Sequence, residues 1–117
     1  YILLSSMRRL FVESLSFSKR VDKEGAETLR RIQTELLERL ESGEFIQGTG
    51  GLQKIRMGDA GRGKGKRGGF RIIYLDLPAR ATTYLLYLYD KGERTDISAD
   101  EKTVLRGLAA RLKGGGK

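Results

Sequence analysis

The chain has 117 residues, a formal net charge of +8, no cysteine and no histidine. One modest core fits that length and a second does not, while the surplus of cations favours a polyanionic partner, nucleic acid first. Disulfides and thiolate metal sites are excluded, as are the usual general acid–base, the usual zinc ligand and every histidine triad, so any chemistry falls to Lys, Arg, Tyr, Ser or carboxylates.

The opening Tyr1-Ile2-Leu3-Leu4 is too short for a signal-peptide core, and Arg8-Arg9 follows it rather than preceding it. No stretch approaches the ~20 apolar residues that span a bilayer. We read Met7 as the start of a single domain over residues 7–113, in the cytoplasm and without a membrane partner. Residues 1–6 are then an upstream extension or a cloning remnant, and Gly114-Gly115-Gly116-Lys117 is a flexible tail.

Residues 8–13, Arg-Arg-Leu-Phe-Val-Glu, read as a first strand. A weak helical turn is expected around Ser14–Val21. The spacing of Leu29, Ile32, Leu36 and Leu40 predicts a helix over 23–42, with Asp22 as its cap and Gly43 as its end. Glu27/Arg31, Arg31/Glu35 and Glu35/Arg39 stand one turn apart on its solvated face. Ile46-Gln47-Gly48-Thr49-Gly50-Gly51 is a turn-rich connector. Residues 52–57 alternate as a strand, and residues 58–69, with six glycines, form a mobile basic loop. Residues 70–77 are a strand apolar on both faces and therefore central. Pro78-Ala79-Arg80 turns the chain into a last strand over 82–90. Ser98 and Glu101 form a capping box before a helix carrying Val104, Leu105, Leu108 and Leu112. The order β-α-α-β-β-β-α with short turns predicts an α+β fold: a small antiparallel sheet of about four strands, one face covered by helices and the other open.

Several cations fall where chemistry is possible. A period of two puts Lys54 and Arg56 on one face of their strand, about 7 Å apart, which is either a solvated face or a phosphate-spaced pair. Arg71 interrupts the most apolar strand between Phe70 and Ile72. It needs a buried partner such as Asp76, a route to solvent, or an anion to face. Arg62, Lys64, Lys66 and Arg67 concentrate charge on the glycine-rich loop, which suits phosphate contact without sequence readout; a solvated loop is the plainer alternative. The loop is not a Walker motif. Tyr87 and Tyr89 share a strand face, with Tyr84 opposite; beside cations they can stack on splayed bases, and otherwise they are core. Lys91 ends the strand, as a turn lysine or a reach to the open face. Asp59, Asp76, Asp90 and Asp96 show no clustered ligand pattern, so no metal or cofactor is expected.

Three stretches carry a resemblance. They are Ile46-Gln47-Gly48-Thr49-Gly50-Gly51-Leu52-Gln53-Lys54-Ile55-Arg56, then Gly63 through Tyr74, then Tyr87-Leu88-Tyr89-Asp90-Lys91-Gly92-Glu93-Arg94-Thr95-Asp96-Ile97. Together they resemble RelE-like toxins of type II toxin–antitoxin systems, in particular the HigB-like branch. The resemblance implies helices packed on one face of a twisted antiparallel sheet. It implies metal-independent, ribosome-dependent cleavage of messenger RNA. It implies a cognate antitoxin, typically a small helix-turn-helix protein of the HigA-like kind. The family's basic catalytic residues carry over to Lys54, Arg56, Arg71 and Lys91. Two positions depart from better-studied relatives: Gly92 stands where they have an arginine, and Ser98 where they have a tyrosine. Lys64 and Lys66 are the candidate substitutes. The same superfamily includes toxins that bind DNA gyrase and cut nothing, and a non-enzymatic nucleic-acid-binding module is a further alternative.

Guanidinium groups at Arg56 and Arg71 suit a phosphorane, because they bind phosphate in a bidentate way and stay charged. Lys54 serves as base only where neighbouring cations favour its neutral form. Lys91 or a loop lysine is then the acid.

Overall fold

The computed structural model describes residues 9–57, 69–90 and 96–114. Strand β1, Leu10–Glu13, leads into helix α1, Leu15–Asp22. The Ser14 hydroxyl starts that helix by accepting the Phe17 N–H at 3.0 Å, and it donates to the Leu86 carbonyl at 2.7 Å. A cap tied at both ends turns the weak turn expected here into two full helical turns.

Helix α2 spans Ala26–Arg39, starting three residues later and ending three earlier than the sequence suggested. Asp22 does not cap it; that residue is the last of α1. The chain breaks at Gly25, whose φ of 96° lies in the left-handed region that a side chain disfavours. Helix α2 gives way to a 3-10 turn, Leu40–Ser42, which closes at Gly43. Here the sheet passes very near. A Cβ on Gly43 would collide with the Tyr74 hydroxyl and press on the Cβ of Gln53. The Tyr74 hydroxyl donates to the Leu40 carbonyl at 2.8 Å, and the Gln53 amide donates to the Gly43 carbonyl at 3.1 Å.

The remaining strands are β2, Glu44–Phe45, β3, Gln53–Met57, β4, Phe70–Leu77, and β5, Thr82–Asp90. Helix α3, Ala99–Gly114, follows. The sheet order is β1-β5-β4-β3-β2. The α+β class is as expected, with five strands rather than about four. The sheet is mixed: β1 runs parallel to β5, and the other pairs are antiparallel. A parallel pair requires a long crossover, and here everything from α1 to β4 supplies it.

The helical cover is divided between the two faces, where the sequence predicted one covered face and one open. Phe17 and Val21 of α1 and Ile32 and Leu36 of α2 pack with Ile55, Phe70, Ile72, Tyr74 and Leu85. Leu105 and Ala109 of α3 pack on the other side with Ile73, Leu75, Leu86 and Tyr89. Only a sheet covered on both faces explains why β4 alternates apolar with apolar. Helix α3 is held at its C-terminal end. Arg80 donates to the Leu112 carbonyl at 2.8 Å and to that of Lys113, and Lys113 Nζ reaches the Gly50 carbonyl. Among the described residues, no helix is long and apolar enough to cross a membrane.

Candidate functional site

Residues directly opposite in an antiparallel pair point to the same side of the sheet. Arg56 lies opposite Arg71, and Arg71 opposite Tyr89. One step along, Lys54 lies opposite Ile73, and Ile73 opposite Tyr87. Two adjacent cross-strand rows therefore bring Lys54, Arg56, Arg71, Tyr87 and Tyr89 to one face, the face that carries α3. The register shifts between Ile73 and Tyr74, leaving Leu86 without a partner in β5. This bulge puts Tyr84 on the same face as Tyr87 and Tyr89 rather than opposite them.

Arg71 is half-buried, and its Nη1 atom is buried with no hydrogen-bond partner among the described residues. The salt bridge to Asp76 that the sequence left open does not form. Asp76 instead accepts the Thr83 hydroxyl at 2.8 Å and pairs with Arg9 at 3.6 Å. A guanidinium nitrogen without an acceptor forfeits hydration it had in water. An anion placed on this face would restore that bond.

Arg56 is exposed, and its strand is fastened through the backbone. Arg39, paired with Glu35 at 2.8 Å, donates to the Arg56 carbonyl at 3.3 Å. Lys54 forms an ion pair with Asp96 at 3.4 Å. The Tyr87 hydroxyl donates to Glu101 Oε2 at 2.9 Å. Glu101 also accepts the Ser98 N–H at 2.7 Å, and Ser98 Oγ accepts the Glu101 N–H at 3.1 Å. The capping box read from the sequence is thus present, and it does a second task by orienting Tyr87.

The two tyrosine rings stand 6.0 Å apart at an interplanar angle of 51°. Tyr89 is only 2% exposed and packs with Leu105 and Ala109, so its ring is enclosed; Tyr87 is half-buried. Of these two rings, that of Tyr87 is the more open on this face. Arg62, Lys64, Lys66, Arg67 and Lys91 lie outside the described residues. Sequence reasoning missed Asp96 and the second role of Glu101. The capping pattern marked Glu101, but nothing local ties Asp96 to a strand 42 residues earlier.

A family model described as the RelE toxin of the RelE/RelB toxin–antitoxin system matches residues 31–115. That span runs from α2 to the end of α3 and includes every strand of the site. Among solved structures, free E. coli toxin RelE, an arginine-to-alanine double mutant, aligns at a TM-score of 0.53 with 17% identity, over 85% of this chain and 94% of that one. The isolated E. coli RelE toxin in a crystal aligns at 0.49 with 15% identity, over 86% and 98%. The first of these shows a shared fold, and the family model, which covers well over half of the chain, shows the lineage. The chain belongs to the RelE toxin family of toxin–antitoxin systems.

Proposed function

We propose that this toxin is a metal-independent endoribonuclease that cuts messenger RNA on the ribosome and so halts translation. A cognate antitoxin, of the helix-turn-helix HigA-like kind, holds it in check. The observation that carries the reading is Arg71: a half-buried guanidinium with an unsatisfied Nη1 among the described residues, opposite a second arginine and one row from Lys54.

RNA supplies its own nucleophile. The 2′-hydroxyl oxygen attacks the adjacent phosphorus, its proton leaves to a base, and the P–O5′ bond breaks as that oxygen takes a proton. The products are a 2′,3′-cyclic phosphate and a 5′-hydroxyl. Arg71 and Arg56 stabilise the charge that builds on the non-bridging oxygens, with donors already in place. Lys54 meets the phosphate as an ammonium, and Lys91 and the loop lysines Lys64 and Lys66 complete the proton transfers. Arg62 and Arg67 hold the flanking backbone, and the half-buried Tyr87 ring stacks on a base. The chain has no histidine or cysteine to recruit, and the ribosome contributes much of the rate by orienting the substrate.

Primer extension on a defined messenger, with and without ribosomes, tests this. Cuts that require ribosomes and fall by ~10²–10³-fold in Arg71→Ala are expected. No cuts in either condition, from a toxin that still arrests growth, would replace this reading with gyrase binding or another non-nuclease action.

A further inference from the structure

We infer that Asp96 is an affinity-determining residue of this site: its carboxylate occupies the place at Lys54 that a substrate phosphate must take. The inference rests on the RNA-binding part of the reading above. Lys54, Arg56 and Arg71 come together on one face of β3 and β4. Of the three, Lys54 is the one with an ion pair among the described residues, and its carboxylate comes from 42 positions along the chain. The pairing is not an accident of a drifting side chain. Asp96 Oδ1 also accepts the N–H of Ile97 at 2.8 Å, which fixes the carboxylate against its own backbone. Ile97 packs into the core under α3, and Ser98 caps that helix. At the far end, Arg80 and Lys113 tie α3 down. Helix α3 thus delivers the carboxylate to the cation row from a fixed base.

A carboxylate and a phosphate oxygen make the same demand on an ammonium group. The Lys54 side chain is 24% exposed and that of Asp96 58%, so the pair is open enough to exchange. Pairs of this exposure are weak, which is what a replaceable counter-anion requires. A phosphate arriving at Arg56 and Arg71 gains Lys54 only by displacing Asp96. The toxin therefore binds a stray RNA phosphate less well than its cations alone would allow. An RNA whose geometry is already fixed can meet all three cations at once and still bind.

The test is fluorescence anisotropy with a labelled 2′-O-methyl ribo-oligonucleotide, which lacks the nucleophile and cannot be cut. Asp96→Asn keeps an acceptor for the Ile97 N–H and removes the charge. We expect it to tighten binding about three- to five-fold, the range that a released surface pair can supply. Glu27→Gln is the matched control, because it raises the net charge equally and frees Arg30, an exposed partner at 2.8 Å on α2. It should change binding by less than half as much. The gain from Asp96→Asn should vanish in a Lys54→Ala background. An equal gain from Glu27→Gln, a gain that survives Lys54→Ala, or no gain at all overturns the inference. Ribosome-dependent cutting by the same wild-type preparation reports separately on the nuclease reading. A wild type that cuts but shows no Lys54-dependent gain sinks only the present inference, whereas one that neither cuts nor binds RNA sinks both.

Discussion

Arg56 and Arg71 stand face to face across β3 and β4, two cations at the same cross-strand position. Like charges placed so oppose folding by roughly 0.2–1 kcal/mol. The proposed phosphate site is what would call for both. Arg56→Gln should therefore raise the melting temperature by a few degrees while lowering cleavage. Added phosphate should stabilise the wild type more than the variant, since a ligand stabilises in proportion to how well the folded state binds it. Thermal unfolding with and without phosphate checks both; a less stable Arg56→Gln would show that the pair is not repulsive.

The Tyr74 hydroxyl gives a pH signature. Burial, outweighing the hydrogen bond from Gly43, pushes its pKa from 10.0 up to about 12. The folded state thus holds this proton more tightly than the unfolded chain. The stability it provides is complete below pH 10 and is lost as pH climbs from 10 through 12. The amount is on the order of 2 kcal/mol. Denaturant unfolding at pH 9 to 12 should show a steeper alkaline loss in wild type than in Tyr74→Phe; parallel profiles would remove Tyr74 as the cause.

Gly43→Ala probes the same junction by sterics. The Gly43 backbone, at φ −66° and ψ 143°, suits any residue, so strain plays no part. The new methyl group meets the Tyr74 hydroxyl instead. A loss of ~1–3 kcal/mol is expected, as for other overpacked sites. Removing the obstacle should help: Gly43→Ala with Tyr74→Phe should cost less than the sum of the two single changes. Additive costs would place the clash elsewhere.

Ser98→Ala removes the cap of α3 and should cost ~1 kcal/mol. Because Glu101 joins the cap to Tyr87, this variant should also loosen Tyr87. Hydrogen exchange should quicken in the first turn of α3 without quickening in α2. Uniform quickening would mean that the cap is holding the whole fold rather than one helix end.

Some of this was legible in the sequence. Element order, the capping box, the central position of β4 and the oddity of Arg71 all followed from local pattern, because periodicity and capping are local physics. Three features were not. The break at Gly25 sits in a charged run that reads as continuous helix, and only its φ of 96° betrays it. The bulge at Leu86 carries no glycine or proline, so Tyr84 was assigned to the wrong face. The Lys54–Asp96 pair joins residues 42 apart, and the parallel β1–β5 pairing is equally remote. Such contacts are set by the packed whole. The loop cations and Lys91 lie outside the described residues.

The parallel pairing of β1 with β5 bears on how the toxin comes into being. Leu10 and its neighbours leave the ribosome well before their partner strand is made. The Ser14 hydroxyl waits for a carbonyl 72 residues on. Topologies that join distant segments fold slowly, because loop closure must come before the reward of contact. The row of Lys54, Arg56 and Arg71 likewise acquires Tyr87, Tyr89 and Asp96 only after β5 and the approach to α3 have been made. A chain released before β5 is made therefore has neither the closed sheet nor the assembled cation row.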